Sequence, residues 1–198
     1  MSLPRMETIP ALAFIAEIDK LKNILRQTLL HDESRRENSA EHSWHLATAV
    51  LAGHSLANEE INLERALKIA LLHDIVEIDA DDTFVYDEVL AQSKAEREQR
   101  AAERIFALLP AEIGAEFRAL WDAYELQACP ESKFVGSFDR LLPMLANFRT
   151  QGHSWKKHGI TSDRVLKRNA SIQHGSEQLW TYAQNLVEEA VRLGYLSR

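Results

Sequence analysis

The 198-residue sequence contains a single cysteine, Cys129, which excludes an intrachain disulfide framework and a zinc site built from cysteines. Glycine and proline are also scarce, at 7 and 5 residues, and this scarcity favours long helices over a turn-rich β fold. No apolar run reaches the length of a membrane span, and the first ten residues lack the pattern of a signal peptide. We therefore expect a cytoplasmic protein that has no membrane partner.

The charge balance is acidic, with a formal net charge of −7 at pH 7. This argues against a general nucleic-acid binder, because a phosphate backbone needs a cationic surface. Hydrophobic residues at 45% and charged residues at 27% are ordinary for a globular protein. The length suits one domain, covering residues 1–198, with a substantial core.

Apolar residues recur at the helical period along most of the chain, and no strong period-2 strand pattern appears. The sequence therefore predicts an all-α fold, a single bundle of about six to eight helices. Pro143 is expected to kink the helix that contains it or to loosen one turn. The predicted helices span about residues 9–30, 39–57, 63–77, 93–109, 110–124, 131–149 and 162–193.

The stretch from Ile69 to Glu77 places ionisable side chains inside an otherwise apolar helix, for which Asn62 is the expected N-cap. His73 and Asp74 lie within the apolar run, and Glu77 follows His73 by four residues, on the same helix face. A buried, ionised Asp74 is costly unless it is paired or bound to a cation. The stretch therefore predicts either a buried hydrogen-bonded or ion pair, or a metal site.

Two residues elsewhere favour the metal site. His42 lies in the first turn of the second predicted helix, and Asp139 interrupts the apolar helix over residues 131–149. Taken singly, His42 suits a capping or packing role and Asp139 suits a pair with a nearby arginine. Together with His73 and Asp74 they supply two imidazoles and two carboxylates from three helices. This set suits a divalent transition ion that keeps open positions for water.

The order of these four residues resembles the HD-domain superfamily of metal-dependent phosphohydrolases. The flanking segments 36–43, 72–77 and 133–135 are similar to the bacterial 5′-deoxynucleotidases and to the eukaryotic HD domain-containing protein two family. The resemblance runs from about Leu21 to Phe148, and the helix over residues 162–193 is expected to pack on that region.

The resemblance implies one divalent metal ion per chain (Mn, Co, Fe, Zn or Mg), held by His42, His73, Asp74 and Asp139. It also implies that Glu77 takes the family's catalytic acid position. Asp82 matches a further acidic position, near the substrate sugar or the attacking water.

The resemblance assigns the family's phosphate-binding arginine to Arg26. This alignment needs a one-residue gap, so Arg35 and Arg36 remain alternatives. Gln27 follows Arg26, where the bacterial deoxynucleotidases carry an aromatic residue that helps to exclude the 2′-hydroxyl. The choice between ribose and deoxyribose therefore stays open. The basic loop over residues 151–159 is interpreted as a contact for an anionic substrate, a dimer contact or plain surface.

The implied activity is release of phosphate from nucleoside 5′-monophosphates, deoxynucleotides in particular, by a homodimeric enzyme. Two alternatives are a pyrophosphohydrolase acting on guanosine alarmones and a non-catalytic nucleotide-binding helical module. The Gly-Tyr-Pro signature of the cyclic-dinucleotide phosphodiesterases is absent from the sequence, which argues against that subgroup.

Overall fold

Helices dominate the chain, which confirms the predicted all-α class. The computed structural model describes residues 9–81 and 88–198. The helices are α1 (Pro10–Ile18), α2 (Ser39–Gly53), α3 (Leu63–Leu72), α4 (Glu77–Ala80), α5 (Glu88–Phe106), α6 (Ala111–Glu125), α7 (Pro130–Arg149), α8 (His153–Lys157), α9 (Ser162–Asn169), α10 (Ile172–Gly175) and α11 (Glu177–Arg192). Two 3₁₀ turns span Asp19–Asn23 and His54–Leu56, and two strands, β1 (Leu25–Leu29) and β2 (Arg36–Asn38), form a small antiparallel sheet. None of the described helices is both long and apolar enough to cross a membrane.

The prediction of one helix over residues 9–30 was wrong in its second half. After α1 and a 3₁₀ turn, residues 25–29 become strand β1, which pairs with β2. The guanidinium of Arg36 donates to the backbone carbonyls of Leu25 and Arg26, which ties the two strands together. Strand pairing and this side-chain bridge therefore override the helical spacing of the sequence. As a consequence Arg26 lies on a strand and not at the end of a helix.

The start of α2 fixes the first site residues. Asn38 is the N-cap: its side chain accepts from the Glu41 amide at 2.9 Å, and Glu41 Oε2 accepts from the Asn38 amide at 3.2 Å. This reciprocal pairing is a capping box. It places Ser39 and His42 in the first turn of α2, both of them buried.

The central helix ends earlier than predicted. Asn62 is its N-cap, as expected, but α3 stops at Leu72 and a new short helix begins at Glu77. The intervening turn is closed by 3₁₀-type hydrogen bonds, in which the amide of residue i+3 donates to the carbonyl of residue i. One of them runs from the Glu77 amide to the Asp74 carbonyl, at 3.0 Å. In a turn of this type the side chains at positions i and i+3 eclipse. The break therefore brings Glu77 into line with Asp74.

Helix α7 is the central element, and its bounds agree with the predicted helix over residues 131–149. It continues through Pro143 and packs against α2, α3, α10 and α11. A close approach at Gly175 joins α10 to α7, because a Cβ there would lie 2.3 Å from the Lys133 carbonyl oxygen. The predicted single helix over residues 162–193 is in fact three helices, α9 to α11, and Ser176 caps the last of them.

Candidate metal centre and adjoining cavity

Three of the four predicted metal ligands converge. The nearest ligand atoms of His42, His73 and Asp139 all lie within 4.8 Å of one another. His42 Nε2 is 2.9 Å from Asp139 Oδ1, and His73 Nε2 is 3.7 Å from the same oxygen. Both imidazoles are buried, with 1% and 3% of their surface exposed. Residues 97 positions apart in the chain thus meet because α2 and α3 both pack on α7.

The imidazole of His73 is oriented by its own helix. Its Nδ1 lies 2.9 Å from the Ala70 carbonyl oxygen, and a carbonyl can only accept, so Nδ1 carries the proton. The buried Nε2 then faces the carboxylates. It lies 3.0 Å from Asp74 Oδ1, yet within the described part of the chain it makes no hydrogen bond. A buried nitrogen held in this way suits a metal ligand.

Two residues that the sequence did not single out support the ligands. Tyr124 Oη donates to Asp139 Oδ2 at 2.8 Å, which leaves Oδ1 facing the histidines, and the phenol ring packs edge-on against His73. Glu37 Oε2 lies 3.6 Å from His42 Nδ1. A hydrogen bond such as that of Tyr124 orients a metal-binding side chain, and the Glu37 carboxylate places negative charge next to His42. Neither contact follows from spacing in the sequence, since each joins separate elements.

Asp74 lies beside this trio. Its Oδ2 accepts from Arg26 Nη1 at 2.7 Å, and its Oδ1 faces His73. Burial alone raises the pKa of Asp74, but the positive charges of His73 and Arg26 outweigh burial and hold that pKa well below its usual range. Burial likewise raises the pKa of Asp139, but the hydrogen bond with His42 and the positive charge of His73 bring that pKa well below the ordinary value. Both carboxylates are therefore ionised inside a buried site.

The same carboxylates act on His73. Burial lowers its pKa, but the negative charges of Asp74 and Asp139 raise it to about 10 in the protein without a cation. The centre is thus arranged to hold positive charge between two carboxylates. Two imidazole nitrogens and carboxylate oxygens form a donor set that suits divalent transition ions. The residues present therefore fit a metal ion.

Arg26 is the arginine that reaches the centre. It lines the cavity beside the carboxylates, with Nε 3.7 Å from Glu37 Oε2 and Nη2 4.0 Å from Asp139 Oδ1. The two alternatives point elsewhere: Arg35 forms an exposed pair with Glu41 at 2.6 Å, and Arg36 bridges the strands. Of the three arginines only Arg26 lines the cavity, and its phosphate-binding role stays a prediction.

Glu77 is 5% exposed and lines the cavity with His73 and Asp74. Ser39 Oγ donates to Glu77 Oε2 at 2.6 Å, so the N-terminus of α2 holds one oxygen of this carboxylate. Asp82, the second predicted catalytic residue, lies outside the described residues. Asp79, in the same acidic segment of the sequence, accepts a hydrogen bond from Arg104 at 2.8 Å on the protein surface.

The cavity next to the centre has a volume of about 290 Å³, close to the lower end of the range for small-molecule sites. Its wall is mixed in charge. Arg26 and Asp74 border it near the metal centre, and Lys94 and Glu98 of α5 form a further pair at 3.2 Å. Burial raises the pKa of Glu98, although Lys94 opposes that shift. A cavity with both signs of charge suits a polar, charged small molecule.

A family model for the HD domain matches residues 18–180. The chain belongs to the HD-domain family. This confirms the resemblance inferred from His42, His73, Asp74 and Asp139. The family assignment also agrees with the convergence of His42, His73 and Asp139 at one centre.

Relatives of this HD-domain chain carry informative names. The human 5′-deoxynucleotidase HDDC2 is 28% identical over 130 residues, which cover 65% of this chain and 62% of that protein. The 5′-deoxynucleotidase PM0747 of Pasteurella multocida is 30% identical over 123 residues, covering 58% and 63%. The match thus spans less than two thirds of either curated relative.

A solved structure matches over nearly the full length. The crystal structure of a protein described as a predicted metal-dependent phosphohydrolase, from Magnetospirillum magnetotacticum MS-1, is 48% identical. It superposes with a TM-score of 0.91, covering 98% of this chain and 100% of that one. The protein therefore shares the fold of that protein in detail.

Proposed function

We propose that this chain is a metal-dependent phosphomonoesterase that releases phosphate from nucleoside 5′-monophosphates, with deoxynucleotides preferred. The observation that carries the proposal is the convergence of His42, His73 and Asp139 at a cavity that Arg26 and Glu77 also line. The names of the two curated 5′-deoxynucleotidases support the substrate class.

One divalent ion per chain would be held by His42, His73, Asp74 and Asp139. Such an ion polarises a phosphoryl oxygen and lowers the pKa of a bound water. Asp74 is the ligand shared with Arg26, through the 2.7 Å contact of its Oδ2. His73 presents Nε2 because Ala70 fixes the opposite nitrogen.

Arg26 would bind the phosphate. Its guanidinium is largely buried, so its charge is only weakly screened by solvent. A guanidinium fork matches the geometry of phosphoryl oxygens, and its charge offsets the negative charge that develops on them. In this account Arg26 exchanges part of its contact with Asp74 for a contact with substrate.

Glu77 would move a proton to or from the attacking water or the leaving oxygen. A positioned carboxylate can serve in this way, and the Ser39 hydroxyl fixes one of its oxygens at 2.6 Å. Gln27 lies next to Arg26 and also lines the cavity. Without an aromatic side chain at that position, the preference for deoxyribose is expected to be incomplete.

The test is a phosphate-release screen with matched ribose and deoxyribose monophosphates, sugar phosphates and a guanosine alarmone, each with Mn²⁺, Co²⁺, Mg²⁺ or Zn²⁺. Release of phosphate from deoxynucleoside monophosphates only when an ion is present supports the proposal. Release of pyrophosphate from the alarmone alone, or tight nucleotide binding without turnover, contradicts it. Asp139→Asn should abolish turnover. His54→Asn, on an exposed turn, is the matched control and should leave it unchanged.

A homodimer and a single domain over residues 1–198 belong to the same proposal. Sedimentation measures the first, and one cooperative unfolding transition supports the second.

A further inference from the structure

One ridge of α7 forms the floor of the cavity. Asp139, Pro143 and Asn147 are spaced four residues apart, so they lie on one face of the helix, and all three line the cavity. Eight residues of helix correspond to about 12 Å along the axis. The cavity therefore extends from the metal centre along α7, over a distance that a nucleoside monophosphate spans from its phosphate to its base.

Asn147 presents a fixed acceptor at the far end of this ridge. Its Nδ2 donates to the Pro143 carbonyl at 3.0 Å, and the opposite amide orientation would set oxygen against oxygen. The side chain is 8% exposed, and among residues 9–81 and 88–198 its Oδ1 has no hydrogen-bond partner. Buried acceptors are nearly always paired. An acceptor held unpaired at a cavity wall suggests that a ligand supplies the donor.

Two large apolar side chains also line the cavity, and one of them is aromatic. Trp155 of α8 is 3% exposed and lines the cavity, and so does Met144, which is also 3% exposed. Helix α8 packs on both α7 and β1, which fixes the indole next to the strand that carries Arg26. Aromatic and thioether side chains pack well against flat rings. The basic loop of the sequence thus contributes an aromatic wall.

We infer that this end of the cavity is a nucleobase site, in which Asn147 Oδ1 accepts from an amino or ring N–H group of the base and Trp155 borders the heterocycle. The inference rests on the proposed function, which places the phosphate at Arg26. Every common base carries such a donor, so the site favours substrates that have a base over those that lack one.

The experiment compares kcat/KM for three substrates of the metal-loaded protein: deoxyadenosine 5′-monophosphate, its analogue without the 6-amino group, and 2-deoxyribose 5-phosphate. A cytosine pair, with and without the 4-amino group, is measured in parallel. In the wild type, loss of the amino group should lower kcat/KM about tenfold to a hundredfold for at least one of the two pairs, the usual effect of leaving a buried acceptor unpaired.

Asn147→Leu keeps the branched outline of the side chain but removes the acceptor, together with the donor to the Pro143 carbonyl. KM for the amino-bearing nucleotide should rise by a similar factor, kcat should change little, and the discrimination between the paired substrates should disappear. Turnover of 2-deoxyribose 5-phosphate should be unchanged. Asn185→Leu, on the exposed face of α11, is the matched control.

If the wild type hydrolyses all three substrates equally and also shows no difference within the cytosine pair, the base site is refuted and the proposed function stands. If Asn147→Leu also loses activity towards 2-deoxyribose 5-phosphate, Asn147 is structural and the inference fails. If the metal-loaded wild type hydrolyses no nucleotide, both the inference and the proposed function fail. The wild-type comparison needs no variant, so misfolding of Asn147→Leu does not prevent a decision.

Discussion

Replacing Glu77 by Gln tests the proton-transfer role directly. Gln has the size of Glu, and its amide oxygen can still accept from the Ser39 hydroxyl, which now bonds Glu77 Oε2 at 2.6 Å. Packing of this buried position is therefore largely conserved. What the change removes is a negative charge and the ability to exchange a proton near neutral pH.

We expect Glu77→Gln to lower the rate of phosphate release strongly and to change metal and nucleotide binding little. Positioned proton transfer contributes about 10²- to 10⁴-fold, which corresponds to about 2.7–5.4 kcal/mol of barrier. Because Glu77 is not one of the four residues proposed as metal ligands, the variant should still bind its metal ion. Nucleotide affinity should change little, since Arg26 and the phosphate are untouched.

The assay measures bound metal and single-turnover phosphate release on the same preparation. Asp79→Asn, on the same short helix, controls for loss of one negative charge and should stay within about twofold of the wild type, as surface changes usually do. Unchanged turnover of Glu77→Gln would refute the role of Glu77. Loss of the metal together with activity would show that Glu77 is a ligand instead.

Three further changes follow from individual contacts. Arg26→Ala should raise KM for nucleotides about tenfold to a hundredfold, because it removes a charge-assisted phosphate contact, and it should leave metal binding unchanged. Arg36→Ala should not raise KM; steady-state kinetics and metal titration check both variants. Tyr124→Phe removes the 2.8 Å hydrogen bond to Asp139 and should weaken metal affinity about 10- to 100-fold in a calorimetric titration. Lys20 and Arg104 lower the pKa of Glu17, so its stabilising effect is present at neutral pH and is lost as pH falls through the carboxylate range. Glu17→Gln should therefore lower the urea unfolding free energy by about 0.2–1 kcal/mol at pH 7 and by almost nothing near pH 3.

The candidate metal ligands could be singled out because an ionisable residue in an apolar run is itself a signal. His73, Asp74 and Asp139 each interrupt a buried helical pattern, and an unpaired charge there is costly. The sequence around His42 alone indicates a metal ligand less strongly, and His42 became a candidate only together with the other three residues. The structure adds that Asp74 is shared with Arg26 and that three of the four residues form the tighter group.

The supporting residues could not be predicted in the same way. Tyr124 closes α6 and Glu37 lies in a short strand, and neither position differs in pattern from ordinary surface or core sites. Their roles come from tertiary contacts to Asp139 and His42. Strand β1 was missed for a related reason, since its partner β2 and the bridge from Arg36 decide its conformation.

The break after Leu72 was also hidden. The helical spacing of apolar residues continues to Glu77 without a break. Only the 3₁₀-type hydrogen bonds of the turn reveal the change of geometry. The role assigned to Glu77 was implied by the family resemblance, and the spacing of Glu77 to His73 agrees with it. A one-turn 3₁₀ segment and a helical turn both keep such near neighbours on one side.

The most direct test of the central claim is a Mn²⁺-loaded crystal with an anomalous difference map, combined with phosphate release from the same preparation. We expect one anomalous peak per chain in contact with His42, His73, Asp74 and Asp139, and release of phosphate from a deoxynucleoside 5′-monophosphate that stops when the ion is removed. A peak at other residues, or full turnover by ion-free protein, would contradict it.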